Sequence, residues 1–356
     1  MRFYSDNNAT VCPELLAAIV EANAAPTRGY GDDRWTQGLD RAFGRFFDAP
    51  VATFPVTTGT AANALAIATV VPPWGAVYAH EESHVVRDEC GAPEFFGAGL
   101  RLVSLAGAGA KLDAQTLARA LDAMPPSVHT VQPTAVTITQ ATELGRVYRP
   151  GEIAALTALA HERGLLVHMD GARLANALVA LGCEPGDITA RAGVDVLSFG
   201  ATKNGGLAAE AVVFFRPELA RDFELRRKRA GHLLSKARYA SAQLLAYVEG
   251  DVWRRNAAHA NRGAREIGAA CGAALLEPVE ANEVFARLGE DGKAQLRALG
   301  FEFYDWGANG SGEARFVVSW DQDLSQVEAL SRAIRALPAS RGTETALHRP
   351  RRSETQ

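Results

Sequence analysis

Between residues 50 and 215 short apolar runs alternate with segments of helical periodicity, and that alternation leaves few folds open. VATFPV (51–56), GAVYA (75–79), LRLVSL (100–105), HTVQPTAVTITQ (129–140), LLVHMD (165–170), VDVLSFG (194–200) and EAVVFFR (210–216) read as strands. GTAANALAIATVV (59–71), GEIAALTALAHERG (151–164) and ARLANALVALG (172–182) read as helices between them. Parallel strands need a crossover, commonly helical, so this order predicts an α/β fold with a mostly parallel sheet. Runs such as VVFF are apolar on both faces, as a sheet covered by helices on both sides requires.

After Pro217 the pattern changes. Residues 217–276 are helix-rich, and from 279 a smaller α+β set begins: strand EVFARL, helix DGKAQLRALG, strands FEFYDW and ARFVVSW, helix SQVEALSRAIRAL. A chain of 356 residues exceeds one ordinary core. The expected division is a large domain over 1–250, a small C-terminal domain over 251–338, and a disordered tail over 339–356.

Charge and composition exclude several classes. Lys plus Arg number 37 against 41 Asp plus Glu, so no positive surplus is available to hold nucleic acid. No apolar stretch reaches the roughly 18–20 residues that span a bilayer. The start, MRFYSDNNATVCPELL, lacks the apolar core of a signal peptide, and a cytoplasmic location is expected. The four cysteines stand far apart without a CxxC pair, which argues against a disulfide framework or a zinc site.

Four polar features collect at the carboxyl ends of the strands, where open α/β sheets bind ligands. In TTGTAANALA, Gly59 and Thr60 open a helix, and free backbone N–H groups there suit a phosphate. In HMDGAR, Asp170 ends a strand and Arg173 follows. In SFGATKNGG, Lys203 sits among small residues 33 positions after Asp170. In EESHVVRDECG, His84 follows the strand GAVYA. Each alone has an ordinary explanation: a plain cap, an N-cap carboxylate beside an Arg, a solvated Lys, a surface His. Their conjunction matches pyridoxal phosphate (PLP), which needs a phosphate cup, a carboxylate for its ring nitrogen, an amine for its aldehyde and a flat group against its ring.

The chain resembles the low-specificity L-threonine aldolases of the β-eliminating-lyase branch of PLP fold type I. SDN (5–7), YGDD (30–33), TGTAANALA (58–66), ESHVVRDECGAPEFF (82–96), TITQATELGRVYRP (137–150), HMDGAR (168–173), FGATKNGG (199–206), EANEVF (280–285) and ARFVVSW (314–320) carry the resemblance, over about 1–337. It implies that Lys203 bonds the cofactor aldehyde, that Asp170 pairs with the ring nitrogen, and that His84 stacks on the ring. It implies that Gly59, Thr60 and Thr202 hold the cofactor, with Arg173 near the ring oxygen or the substrate carboxylate. Arg315, helped by Ser5, is implied to bind the substrate α-carboxylate. Arg238 and Tyr30 are implied to act across a subunit interface of a homo-oligomer, a dimer of dimers. The reaction implied is cleavage of L-threonine, L-allo-threonine and related β-hydroxy-α-amino acids to glycine and an aldehyde; the alternatives are a phenylserine preference or another β-eliminating-lyase reaction. One departure stands out: where some members read E-N-T-H, this chain reads Q-A-T-E, with Glu143 in the His position. His84, Glu143 through a water, or the cofactor phosphate is then the base.

Overall fold

Seven strands of the first region form one sheet in the order β1-β7-β6-β5-β4-β2-β3. They are β1 (Ala52–Val56), β2 (Gly75–His80), β3 (Arg101–Leu105), β4 (Gln132–Thr139), β5 (Leu166–Gly171), β6 (Val196–Gly200) and β7 (Glu210–Phe214). The computed structural model describes residues 1–124 and 127–338, so the tail expected at 339–356 lies outside the described residues. Strands β3, β2, β4, β5 and β6 run parallel. Strand β7 is antiparallel to both β6 and β1. The connection from β6 to β7 is too short for a crossover, so the chain turns back on itself. As a result β1 again runs with β6, and the amino end of β7 joins the carboxyl ends of its neighbours.

Helices pack on both faces. The Ala-rich helix Gly59–Val70 is buried continuously from Ala61 to Ala68, and its small side chains let it lie close to β6 and β7. Helix Pro150–Glu162 and helix Leu174–Leu181 link β4, β5 and β6 as the periodicity predicts. The first fifty residues, to which no element was assigned from sequence, hold helices Pro13–Ala22 and Arg34–Phe47. The second is strongly amphipathic and puts Leu39, Ala42, Phe43 and Phe47 into the main core.

A second, three-stranded antiparallel sheet has the order β8-β10-β9, from β8 (Glu283–Arg287), β9 (Tyr304–Trp306) and β10 (Glu313–Val317). Strand β9 is shorter than the run FEFYDW. The main core of the large sheet and the core of the small sheet are both entered by helix Val252–Cys271: Val252, Trp253 and Ala257 lie in the first, Ala264, Ile267 and Cys271 in the second. The amino terminus also crosses between them. Phe3 is buried in the second core, while Cys12 and Leu15 belong to the first. Residues 5–7 therefore run along the junction, beside the strand ends of the large sheet.

Candidate active site

The strand ends bring the candidate residues together. Asp170 is the next-to-last residue of β5, and Gly200 closes the adjacent β6 three residues before Lys203. Lys203 lies in the turn Thr202–Asn204, held open by Gly205 at φ +111°. Behind it, Asn204 Nδ2 donates to Tyr247 Oη at 2.6 Å and to the Trp253 carbonyl at 2.9 Å, so the turn is anchored to the core. His84 opens a short helix after β2, and Glu143 follows β4. Helix Gly59–Val70 starts at the same edge. Its cap is Thr58, whose Oγ1 accepts the Ala61 N–H at 3.2 Å, so Gly59 and Thr60 keep their N–H groups for another acceptor.

Asp170 is buried. Its Oδ1 accepts the Ala172 N–H at 2.9 Å and its Oδ2 accepts from Asn63 Nδ2 at 2.8 Å. Burial alone would raise its pKa, but the charges of His84 and Lys203 and these hydrogen bonds hold it below the usual carboxylate value. Lys203 Nζ has no hydrogen bond or ion pair with a described residue, so its amine stays uncommitted. On the other side of Asp170, His168 is sealed between Thr137 Oγ1 and Ser198 Oγ, and burial lowers its pKa to about 4.

Glu143 occupies the departure noted in the sequence. Its Oε1 accepts the His84 backbone N–H at 2.8 Å and the Thr139 hydroxyl at 2.9 Å. Its Oε2 is sealed from water with no partner. Burial, followed by repulsion from Asp170, raises its pKa to about 7. Glu210, at the amino end of β7, reaches a similar value of about 7 for the same first reason, although Thr202 and Lys203 oppose it. Its Oε1 accepts the Thr202 N–H at 3.2 Å.

Two arginines face the junction, and each already holds a carboxylate. Arg173 makes a two-pronged pair with Asp6, Nε to Oδ2 and Nη2 to Oδ1, both at 2.8 Å. Asp6 is thereby held at about 2 despite its burial, mainly through Arg173. The pairing of Arg173 with the nearby Asp170 that a plain capping role would give is not seen. Arg315 donates through Nη2 and Nε to Glu283 Oε1, at 2.6 and 3.2 Å, and Arg173 Nη1 lies 3.7 Å from Glu283 Oε2. Asn282 Nδ2 completes the group by donating to Asp6 at 2.9 Å. Ser5 lies next to this cluster, where its Oγ accepts the Asn7 N–H at 3.2 Å.

Tyr30 and Arg238 are not brought to this centre within one chain. Arg238 donates to the Ala22 carbonyl at 3.0 Å and to Tyr239 Oη at 3.0 Å. Tyr30 is 58 % exposed, and its backbone N–H donates to the Ser235 carbonyl at 3.0 Å. Their partners Ser235 and Tyr239 line an apolar cavity of about 560 Å³, together with Ile19, Val20, Leu207, Ala208 and Leu234.

Sequence reasoning missed Asn63, Glu89, Glu210, Asp6 and Glu283. Asp6, Asn63, Glu89 and Glu283 lie inside stretches that carry the resemblance, and that was the available signal. Glu210 and Glu283 each head an apolar strand, where a charged residue has an ordinary explanation. The donor set fits PLP: an ionised buried Asp170, an uncommitted Lys203, free N–H groups at Gly59 and Thr60, and the His84 imidazole.

The chain was compared with known proteins. A family model described as "Beta-eliminating lyase" matches residues 2–291. A low specificity L-threonine aldolase of Pseudomonas aeruginosa is 44 % identical over 338 residues, covering 94 % of this chain and 97 % of that protein. The structure of the Leishmania major threonine aldolase superposes with a TM-score of 0.89 at 28 % identity, over 94 % of this chain and 99 % of the other. A serine palmitoyltransferase from S. paucimobilis, solved with bound PLP, shares the fold alone, with a TM-score of 0.69 at 17 % identity over 95 % and 87 % of the two chains. With the match running through the whole seven-stranded sheet and the strand ends that carry Lys203, Asp170, His84 and Glu143, the chain belongs to the β-eliminating lyase family.

Proposed function

We propose that the protein uses PLP to cleave L-threonine, L-allo-threonine and related β-hydroxy-α-amino acids to glycine and an aldehyde. The observation that carries this reading is the juxtaposition of ionised Asp170 on β5 with uncommitted Lys203 in the turn after the adjacent strand β6, and Glu143 sealed against His84. When bound, PLP supplies an aldehyde that joins amines and a ring that accepts the electrons of a breaking bond at the amino-acid α-carbon.

The chain's residues do the rest. Lys203 supplies the amine that carries the cofactor. Asp170 keeps the ring nitrogen protonated, because a buried anion stabilises the positive charge beside it. The helix end at Gly59 and Thr60, with Thr202, holds the phosphate. Arg315 and Arg173 orient the substrate by its α-carboxylate, with planar donor groups that Glu283 and Asp6 keep in place. Ser5 lies at the same junction. Glu143 would take the proton of the β-hydroxyl, and the His84 imidazole would supply the flat group against the cofactor ring.

The apolar cavity next to Ser235 and Tyr239 is where a second copy of this chain docks. Its lining extends to Thr57, next to the phosphate-binding helix end, so the interface and the site are continuous. The dimers pair again into a tetramer. Among the described residues no helix is long and apolar enough to cross a membrane. The separate free thiols Cys12, Cys90, Cys183 and Cys271 support a cytoplasmic setting.

Product analysis tests the reading. Glycine and an aldehyde should form in equal amounts from L-threonine, L-allo-threonine or L-phenylserine. Formation of a keto acid from L-threonine, with no glycine, would overturn it in favour of another reaction on the same fold.

A further inference from the structure

Glu89 has no role in the reaction as described so far, yet its buried carboxyl group sits among the residues that do. Its Oε1 accepts from Asn63 Nδ2 at 2.7 Å and lies 2.9 Å from His84 Nδ1. Asn63 uses the same Nδ2 to donate to Asp170 Oδ2 at 2.8 Å. A neutral amide therefore stands between two buried acids that would repel each other in direct contact. The line Asp170–Asn63–Glu89–His84 joins the partner of the ring nitrogen to the partner of the ring face. Glu89 Oε2 and Asn63 Oδ1 are sealed from water and have no partner, so this geometry is not a solvated surface pairing.

We propose that Glu89 is the positioning residue for His84: it accepts the Nδ1–H, fixes the plane of the imidazole, and leaves Nε2 as the ring nitrogen free to take or give a proton. The charged groups that act on the imidazole are Glu89, Asp170 and Lys203, while Glu143 holds the backbone N–H of the same residue. Burial opposes a charge on the ring, but the Glu89 hydrogen bond and the two acids outweigh it and raise the His84 pKa. This inference rests on the aldolase reading for what the Nε2 proton does, but its test needs no turnover.

The test is a pH titration by nitrogen-15 NMR of histidine-labelled protein, loaded with PLP and free of it, with the His84 signal assigned by its loss in His84→Asn. In the wild type the neutral ring should carry its proton on Nδ1, and its pKa should lie above that of free histidine. Glu89→Gln should lower that pKa by about one unit, since it removes an adjacent negative charge. Glu89→Asp, which restores the charge, should recover most of the shift. A neutral ring protonated on Nε2, or a Glu89→Gln titration that overlays the wild type, would overturn the proposal. If Glu89→Gln does not fold, the tautomer in the wild-type protein decides alone. Normal glycine release with the wrong tautomer would sink only the role of Glu89. The expected tautomer without glycine release would sink only the aldolase reading.

Discussion

Glu143 has one oxygen held by the His84 N–H and the Thr139 hydroxyl and the other left without a partner. Burial puts its proton near pH 7, where a carboxyl group can both accept and return a proton. The active base is the carboxylate, so kcat/KM should rise as pH increases through about 7 and then level off. Glu143→Gln should abolish that limb and lower kcat by about 10²-fold. A variant with the wild-type pH profile would remove Glu143 from proton transfer. The same ionisation acts on stability. A carboxyl whose folded pKa lies above its unfolded value favours folding at low pH and loses that contribution as pH rises through about 7. Lys203→Ala should lose the yellow colour of the lysine-linked cofactor together with nearly all turnover. Full activity in that variant would mean the site is misplaced. Lys203 and Asp170 were legible only together, because each alone has an ordinary explanation while their conjunction with Gly59, Thr60 and His84 matches one cofactor. The Asn63 that bonds Asp170 was not, since an Asn inside an Ala-rich helix gives no local signal.

At the scale of elements, strands β1 to β7 and the helices Gly59–Val70, Pro150–Glu162 and Leu174–Leu181 were legible from their periodicity, whereas helix Arg34–Phe47 was not read despite its amphipathic pattern. The direction of β7 depended on the length of the turn before it rather than on its own residues. Two element-level features have measurable consequences. Thr58→Ala removes the side-chain cap of helix Gly59–Val70 and should cost about 1 kcal/mol, read as a lower denaturant midpoint. Gly200 ends β6 where an added Cβ would lie 3.0 Å from both the α-carbon and the carbonyl oxygen of Ala172. Backbone cannot yield as a flexible side chain can, so Gly200→Ala should push the Lys203 turn away from the end of β5. PLP affinity should fall at least several-fold with the fold retained; an unchanged affinity would show that the turn tolerates the shift.

For the whole molecule, exposed apolar side chains line the cavity next to Ser235 and Tyr239. Val20 and Leu207 are 65 % and 54 % exposed there, which supports the proposal that a second copy covers this face. Leu207→Arg should shift the protein to a smaller species in light scattering and weaken its hold on PLP. A variant of unchanged mass would place the interface elsewhere. The sequence by itself determined the α/β alternation, the second smaller sheet and the amine–carboxylate pair at neighbouring strand ends, because backbone periodicity and burial are written locally. Only the tertiary structure decided which acid meets which cation. Asp6 reaches Arg173 across 167 positions, because that choice follows from strand order and from the path of the amino terminus along the junction. Among 41 acidic residues, nothing in the local pattern marks the few that the fold will bury beside a base.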